Sequence, residues 1–160
     1  VLFRSRRLSV GDAVNAFAAI RRANPGGLGR SERQDVGTDP TVTLLEAMRL
    51  AENRDRIARQ YATDYADVFV IGVERISAGR RSRQSPNWTT TLVFLDFLAG
   101  FPDSHIARKF GAETAEWVRT RAERLRGALS GTEDAGFSAL LTFDRELKER
   151  GLNQIGRAHV

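Results

Sequence analysis

The chain contains no cysteine. Disulfides, thiolate catalysis and cysteine-based zinc sites are thereby excluded, and a cytoplasmic location is the expectation. Histidine is nearly as scarce, with only His105 and His159 in 160 residues, so a histidine-built metal centre has too few ligands. No stretch approaches the ~18 apolar residues of a membrane-spanning helix. Sustained strand-like alternation, internal repeats and low-complexity segments are all missing. So are two phosphate-binding fingerprints: no Gly-Lys-Ser/Thr follows a glycine-rich stretch at the required spacing, and no Gly-x-Gly-x-x-Gly follows a strand. Lysine is rare as well, because Arg supplies 23 of the 25 basic residues.

Apolar residues make up 41% and charged residues 28% of the chain, the mix of a globular domain with its own core. A net charge of +5 and a pI near 10.6 raise the possibility of an Arg-rich module binding nucleic acid or a protein partner. Two features count against it. Acids are interleaved with the arginines of residues 113–126, as on a solvated helix face with Glu116–Arg119 and Glu123–Arg126 pairs at i, i+3. The two ends, VLFRS (residues 1–5) and, within 154–160, IGRAHV, also read as a sequencing adapter translated on opposite strands, and are set aside. Without Arg4 and Arg157 the charge falls from +5 to +3, and His159 goes too. The expectation is an all-α, single-domain helical bundle or array over residues 6–153, truncated at both ends.

Six helical stretches support this. Ser9 and Asp12 open a helix carrying Val14, Phe17 and Ala18 on one face. Asp39 as cap and Pro40 at the first helical position predict a second helix running to Asn53. Residues 54–77 continue as helix with a break near Ala62, and 78–87 form a polar connector. Residues 88–101 are apolar almost all round, which marks a buried central helix, with Asp96 inside it. Residues 112–131 are amphipathic, with Ala115, Val118, Ala122, Leu125 and Leu129 inward and Gly131 beyond the end. A last helix places Phe137, Leu140, Leu141 and Leu147 on an apolar face that Asp144 interrupts, and stops at Gly151.

Three places could carry chemistry. The stretch ANPGGLG (residues 23–29) is either a helix C-cap with its loop or a phosphate cradle, since glycines let backbone N–H groups approach an anion. Asp35, in the same loop, suits either an Asx-turn or a Mg²⁺ bound beside phosphate oxygens. In FPDSHIARKFG (residues 101–111), Asp103 stands where an N-cap belongs, with His105, Arg108 and Lys109 on the next turn. Asp144 and Asp96, acids on apolar faces, each need either an arginine partner or a ligand cavity.

Four blocks in order, DAVNAFAAIRRANPGGLG, DVGTDPTVTLLEAMRLAENRDRIARQYATDYADVF, FPDSHIARKFG and FDRELKERGLN, resemble the triphosphoribosyl-dephospho-CoA synthase family over nearly all of Asp12 to Asn153. The resemblance implies an all-α enzyme. It implies transfer of the triphosphoribosyl group of ATP onto 3'-dephospho-CoA with release of adenine, making a prosthetic-group precursor. Carried onto this chain, the family's motifs imply phosphate binding by Asn24, Gly26, Gly27, Gly29, Arg108 and Lys109. They imply Mg²⁺ at Asp35, and a catalytic carboxylate at Asp103 or Asp144. The PTVTLLEAMRLAENRDRIARQYA version looks like a distinct branch, which leaves open another phosphorylated acceptor. The family's N-terminal segments and its C-terminal Pro-Gly block have no counterpart here, so little or no activity is expected from this stretch alone.

Overall fold

A computed structural model describes residues 8–23, 30–129 and 133–152, the last stretch with side chains from Gly136 onward. Residues 1–5, 154–160 and Gly131 lie outside the described residues. Among the described residues every regular element is helical, as the periodicity predicts. The chain divides into two compact units, residues 1–70 and 71–160.

The first unit holds α1 (Val10–Ala23), α2 (Leu44–Ala51) and α3 (Arg56–Ala62). Ser9 and Asp12 close the start of α1 reciprocally: the Ser9 N–H and Oγ–H donate to Asp12 at 2.8 and 2.7 Å, and the Asp12 N–H donates back to Oγ at 3.2 Å. These bonds hold the Asp12 carboxyl below its ordinary pKa. Ala13 and Phe17 are the buried positions of α1. At its C-terminal end Arg21 gathers the following loop, donating to the carbonyls of Val36 (3.1 Å) and Thr38 (3.0 Å) and to Asp39 (2.6 Å).

Asp39 is therefore not the cap of α2, contrary to the sequence reading. Thr43 is, four residues later, in a capping box with Glu46. A Thr-x-x-Glu pair satisfies two orphan donors at once, whereas the Asp39 carboxylate is occupied by a guanidinium. The break near Ala62 is real and sharp. Asp64 and Tyr65 both take left-handed backbone (φ 54° and 62°), and the Tyr65 N–H donates to the Gln60 carbonyl at 2.7 Å. One π-helical turn, Val68–Val73, follows.

The second unit comprises α4 (Glu74–Arg81), α5 (Pro86–Gly100), α6 (Ser104–Phe110), α7 (Ala112–Ala128) and α8 (Glu133–Glu149). The expected connector over 78–87 is shorter than its polarity suggested, since Ala78–Arg81 complete α4. Arg83 turns the chain in left-handed conformation (φ 54°), and Ser85 with Pro86 then starts α5. As expected, α5 is central: Leu92, Leu95, Leu98 and Ala99 are buried. Around it pack Ile106 of α6, Ala115, Val118 and Ala122 of α7, and Phe143 of α8. Alanines on α7 let its backbone approach α5 closely. Gly151 (φ 68°) ends α8 in a Schellman turn, with Leu152 N–H to Leu147 O at 2.8 Å and Gly151 N–H to Lys148 O at 3.0 Å, and buries Leu152.

The face of α8 differs from the expected one by about one residue. Phe143 is inward with Leu140 and Leu147 beside it, while Phe137 and Leu141 are 59% and 48% exposed. Gly136 sets this phase: a Cβ there would lie 2.3 Å from the Trp88 ring, so the glycine itself faces a neighbour.

Asp96 is 8% exposed in its side chain and bonds two guanidiniums, Arg75 of α4 (2.5 and 3.1 Å) and Arg126 of α7. The acid in the apolar helix thus has arginine partners. It also corrects the pairing read along α7, where Glu123 bonds Arg119 at 3.1 Å and leaves Arg126 to Asp96. The Arg119 guanidinium is shared with Glu116 and with the Ala99 carbonyl near the end of α5.

Two outcomes test this packing. A Cβ on Gly79 would sit 2.4 Å from Thr89 Oγ1, so Gly79→Ala should destabilise by ~1–2 kcal/mol despite its better helix propensity, whereas Gly127→Ala, with open space around it, should stabilise by up to ~1 kcal/mol. Asp96→Ala should cost ~2–4 kcal/mol in chemical denaturation, because it strands two guanidiniums.

Candidate functional site

Asp35 sits in the turn that follows the glycine-rich stretch. Its Oδ2 accepts the Ser31 N–H at 2.7 Å and its Oδ1 the Gly37 N–H at 2.8 Å. A Cβ on Gly37 would come within 2.9 Å of that Oδ1, which is why glycine occupies the position. The two backbone donors, with the charges of Arg30 and Arg54 behind them, hold the Asp35 carboxyl below its usual range. Arg54 also donates to Ser31 Oγ at 2.6 Å, tying the loop to the start of α3. The Asx-turn reading of Asp35 is thus realised in the fold. Asn24, Gly26, Gly27 and Gly29, the expected phosphate-binding residues of the same segment, lie outside the described residues.

Asp103 caps α6. Its Oδ1 takes the N–H groups of His105 (2.7 Å) and Ile106 (2.9 Å). On the same helix Arg108 bonds His105 Nδ1 at 3.2 Å, and Lys109 lies 5.2 Å from the centroid of the Phe110 ring. Arg108 and Lys109 are exposed and on the turn after Asp103, where sequence spacing put them. Asp144 is half exposed and paired to Lys148 on its own helix at 2.6 Å, so it does not point into the core. The shifted phase of α8 is the reason. Among the described residues no hydrogen bond or ion pair joins Asp103 to Asp144.

The segment 55–67, which periodicity alone marks as helix, holds a cluster of polar groups. Asp55 caps α3 through the N–H groups of Ile57 and Ala58. Asp67, 19% exposed, is gripped by the Arg56 guanidinium at 2.5 Å and by the Gln60 amide at 2.6 Å, both on Oδ2. Burial holds the Arg56 pKa down against the pull of Asp67. Tyr61 and Tyr65 stand side by side with ring centroids 5.2 Å apart, and a hydrogen bond between their phenols helps push Tyr65 up to about 12. No spacing in the sequence marks this set, because a helix break separates Arg56 and Gln60 from Asp67.

Several arginines are already neutralised. Glu146 accepts a two-pronged bond from Arg121 (2.5 and 3.0 Å), and Asp96, Glu116 and Glu123 take others. That is the pattern of a self-paired surface rather than of a phosphate-backbone stripe. No group of three or more metal-ligating side chains occurs among the described residues, and none of their helices is long and apolar enough to cross a membrane.

Comparison with protein families matches the CitG model, described as ATP:dephospho-CoA triphosphoribosyl transferase, to residues 3–159. No curated protein and no solved structure matches the chain.

The depressed carboxyls give a pH prediction with a definite sign. Unfolded acids take up protons at about pH 4, above the folded values of Asp12, Asp35, Glu46, Glu116 and Glu146. Their contribution is present above that pH and lost as pH falls through the folded values. Asp35→Asn should therefore be less stable than the parent at pH 7, and the gap should close by about pH 3 in urea titrations; a gap independent of pH would show that the loop bonds do not favour the carboxylate.

Proposed function

The chain belongs to the ATP:dephospho-CoA triphosphoribosyl transferase family, and we propose that its loops and helix ends divide that reaction among them as follows. The enzyme is a transferase that moves the triphosphoribosyl group of ATP onto 3'-dephospho-CoA and releases adenine. The family match over residues 3–159 carries this reading.

A ribose hydroxyl of dephospho-CoA attacks the anomeric carbon of ATP. The new C–O bond forms as the C–N bond to adenine breaks, and the triphosphate stays on the sugar. The hydroxyl proton needs an acceptor, adenine needs a proton as it leaves, and the oxocarbenium-like sugar needs a nearby negative charge. Asp103 or Asp144 serves as that carboxylate. Asp103 has the better local support, because its Oδ1 is fixed by two backbone N–H groups. Arg108 and Lys109, exposed one turn on, supply cations for phosphate oxygens; the family's motifs also assign phosphate binding to Asn24, Gly26, Gly27 and Gly29.

Mg²⁺ fits Asp35 as a single protein ligand. The carboxylate is kept ionised by its loop, each oxygen retains a second lone pair, and a Mg²⁺–nucleotide site takes most of its ligands from phosphate and water. The ion, when bound, offsets triphosphate charge. We further place the enzyme in the cytoplasm, making the precursor of an acyl-carrier prosthetic group.

Asn caps a helix nearly as well as Asp, so Asp103→Asn isolates charge from structure. On the intact protein supplied with ATP, Mg²⁺ and dephospho-CoA, it should lower adenine release by ~10²–10⁴-fold with little change in melting temperature. Asp144→Asn removes only an exposed i, i+4 pair worth ~0.3–0.5 kcal/mol. Unchanged adenine release in both variants would remove both acids from catalysis.

A further inference from the structure

Asp67 is anchored on one side only. Both bonds to its carboxylate fall on Oδ2, from Arg56 Nη2 at 2.5 Å and Gln60 Nε2 at 2.6 Å. Among the described residues nothing donates to Oδ1, although the side chain is only 19% exposed. Beside it, Gln60 Oε1 is buried with no donor at all. A buried acceptor without a donor costs free energy comparable to a lost hydrogen bond. The cluster is thus short of donors at two neighbouring oxygens while its carboxylate is held still.

The backbone goes out of its way to build it. Asp64 and Tyr65 adopt left-handed conformation without being glycine, and the Tyr65 N–H closes onto the Gln60 carbonyl at 2.7 Å. Each such residue costs of the order of 1 kcal/mol. The turn brings Asp67 back to the side chains of Arg56 and Gln60, which a continuous helix would not do for residues eleven and seven apart.

Two unfilled acceptors exclude an anion as the occupant. A divalent cation is a poor match too, because Arg56 already neutralises the carboxylate and no third acidic or histidine ligand joins it among the described residues. A neutral donor pair suits the oxygens: one hydroxyl to Asp67 Oδ1, and a vicinal one to Gln60 Oε1 after a small side-chain shift. We propose that Asp67 and Gln60 bind the ribose diol of the nucleotide, with Arg56 as a positioning residue. This rests on the nucleotide-binding reading above and assigns it residues that neither the sequence motifs nor the family match names.

The test is equilibrium binding of ATP, 2'-deoxy-ATP and 3'-deoxy-ATP to the intact protein by calorimetry without acceptor, so that it does not depend on turnover. The parent should prefer ATP over at least one deoxy analogue by about tenfold or more, and Asp67→Asn, which can still accept from Arg56, should reduce that preference at least threefold. Gln60→Leu, a second variant should the first fold poorly, should do the same for the neighbouring hydroxyl. Equal affinity of the parent for all three nucleotides, an unaltered preference in both variants, or no nucleotide binding at all would overturn the proposal. Nucleotide binding with the expected hydroxyl preference but no adenine release would instead refute the transferase assignment and leave the diol site standing.

Discussion

A single carboxylate organises the second unit. Asp96 lies on the most apolar helix of the chain, where an ionised group without partners would be prohibitively costly. The fold meets this by drawing in Arg75 from α4 and Arg126 from α7. Apolar packing alone is poorly directional, and α5 is apolar on nearly every side, so it offers several equivalent ways to rotate against its neighbours. The pair of guanidiniums selects one. Once α5 and α7 are fixed, the short α6 between them has its position set, and with it the cap at Asp103 and the exposed Arg108 and Lys109.

The same economy of carboxylates recurs in local form. Asp12, Glu46, Asp55 and Asp103 all close helix starts, and Asp35 closes a turn. Each satisfies N–H groups that the backbone leaves orphaned. A capping carboxylate is not thereby disqualified from chemistry: two N–H bonds on Oδ1 leave Oδ2 of Asp103 in a defined orientation. Asp144 has no such support, since its bond is to a lysine on a flexible stem. On positional precision, Asp103 is the stronger of the two sequence candidates.

Helical class was legible because periodicity is a property of many residues at once. So were the start of α1, the buried character of α5, the cap at Asp103, the inward alanines of α7 and the stop at Gly151. The errors share one cause. Asp39 reads as a cap because capping geometry is local, but Arg21, eighteen positions away, claims its side chain, and Thr43 with Glu46 makes the better cap. Spacing pairs Glu123 with Arg126, but a buried acid thirty positions away takes that arginine. The largest apolar residues of α8 suggest one face, whereas Gly136 against Trp88 sets its rotation. In each case a tertiary contact overrode a sound local rule. The family was legible through ordered blocks of residues, which encode tertiary contacts that no single pattern can.

Asp67 was missed for a related reason. Its partners, Arg56 and Gln60, are close in sequence but lie across a helix break, so neither helical spacing nor loop composition marks them as a set. What distinguishes the cluster is an imbalance: strongly bound on one oxygen, open on the next, with a buried amide oxygen unfilled beside it. Asp96 shows the alternative, in which both oxygens are held by guanidiniums and the acid is structural. In a chain this rich in arginine, acids that stay partly unpaired do so against abundant competition, and the residual hydrogen-bonding capacity of each carboxylate separates those that hold the fold from those available to a ligand.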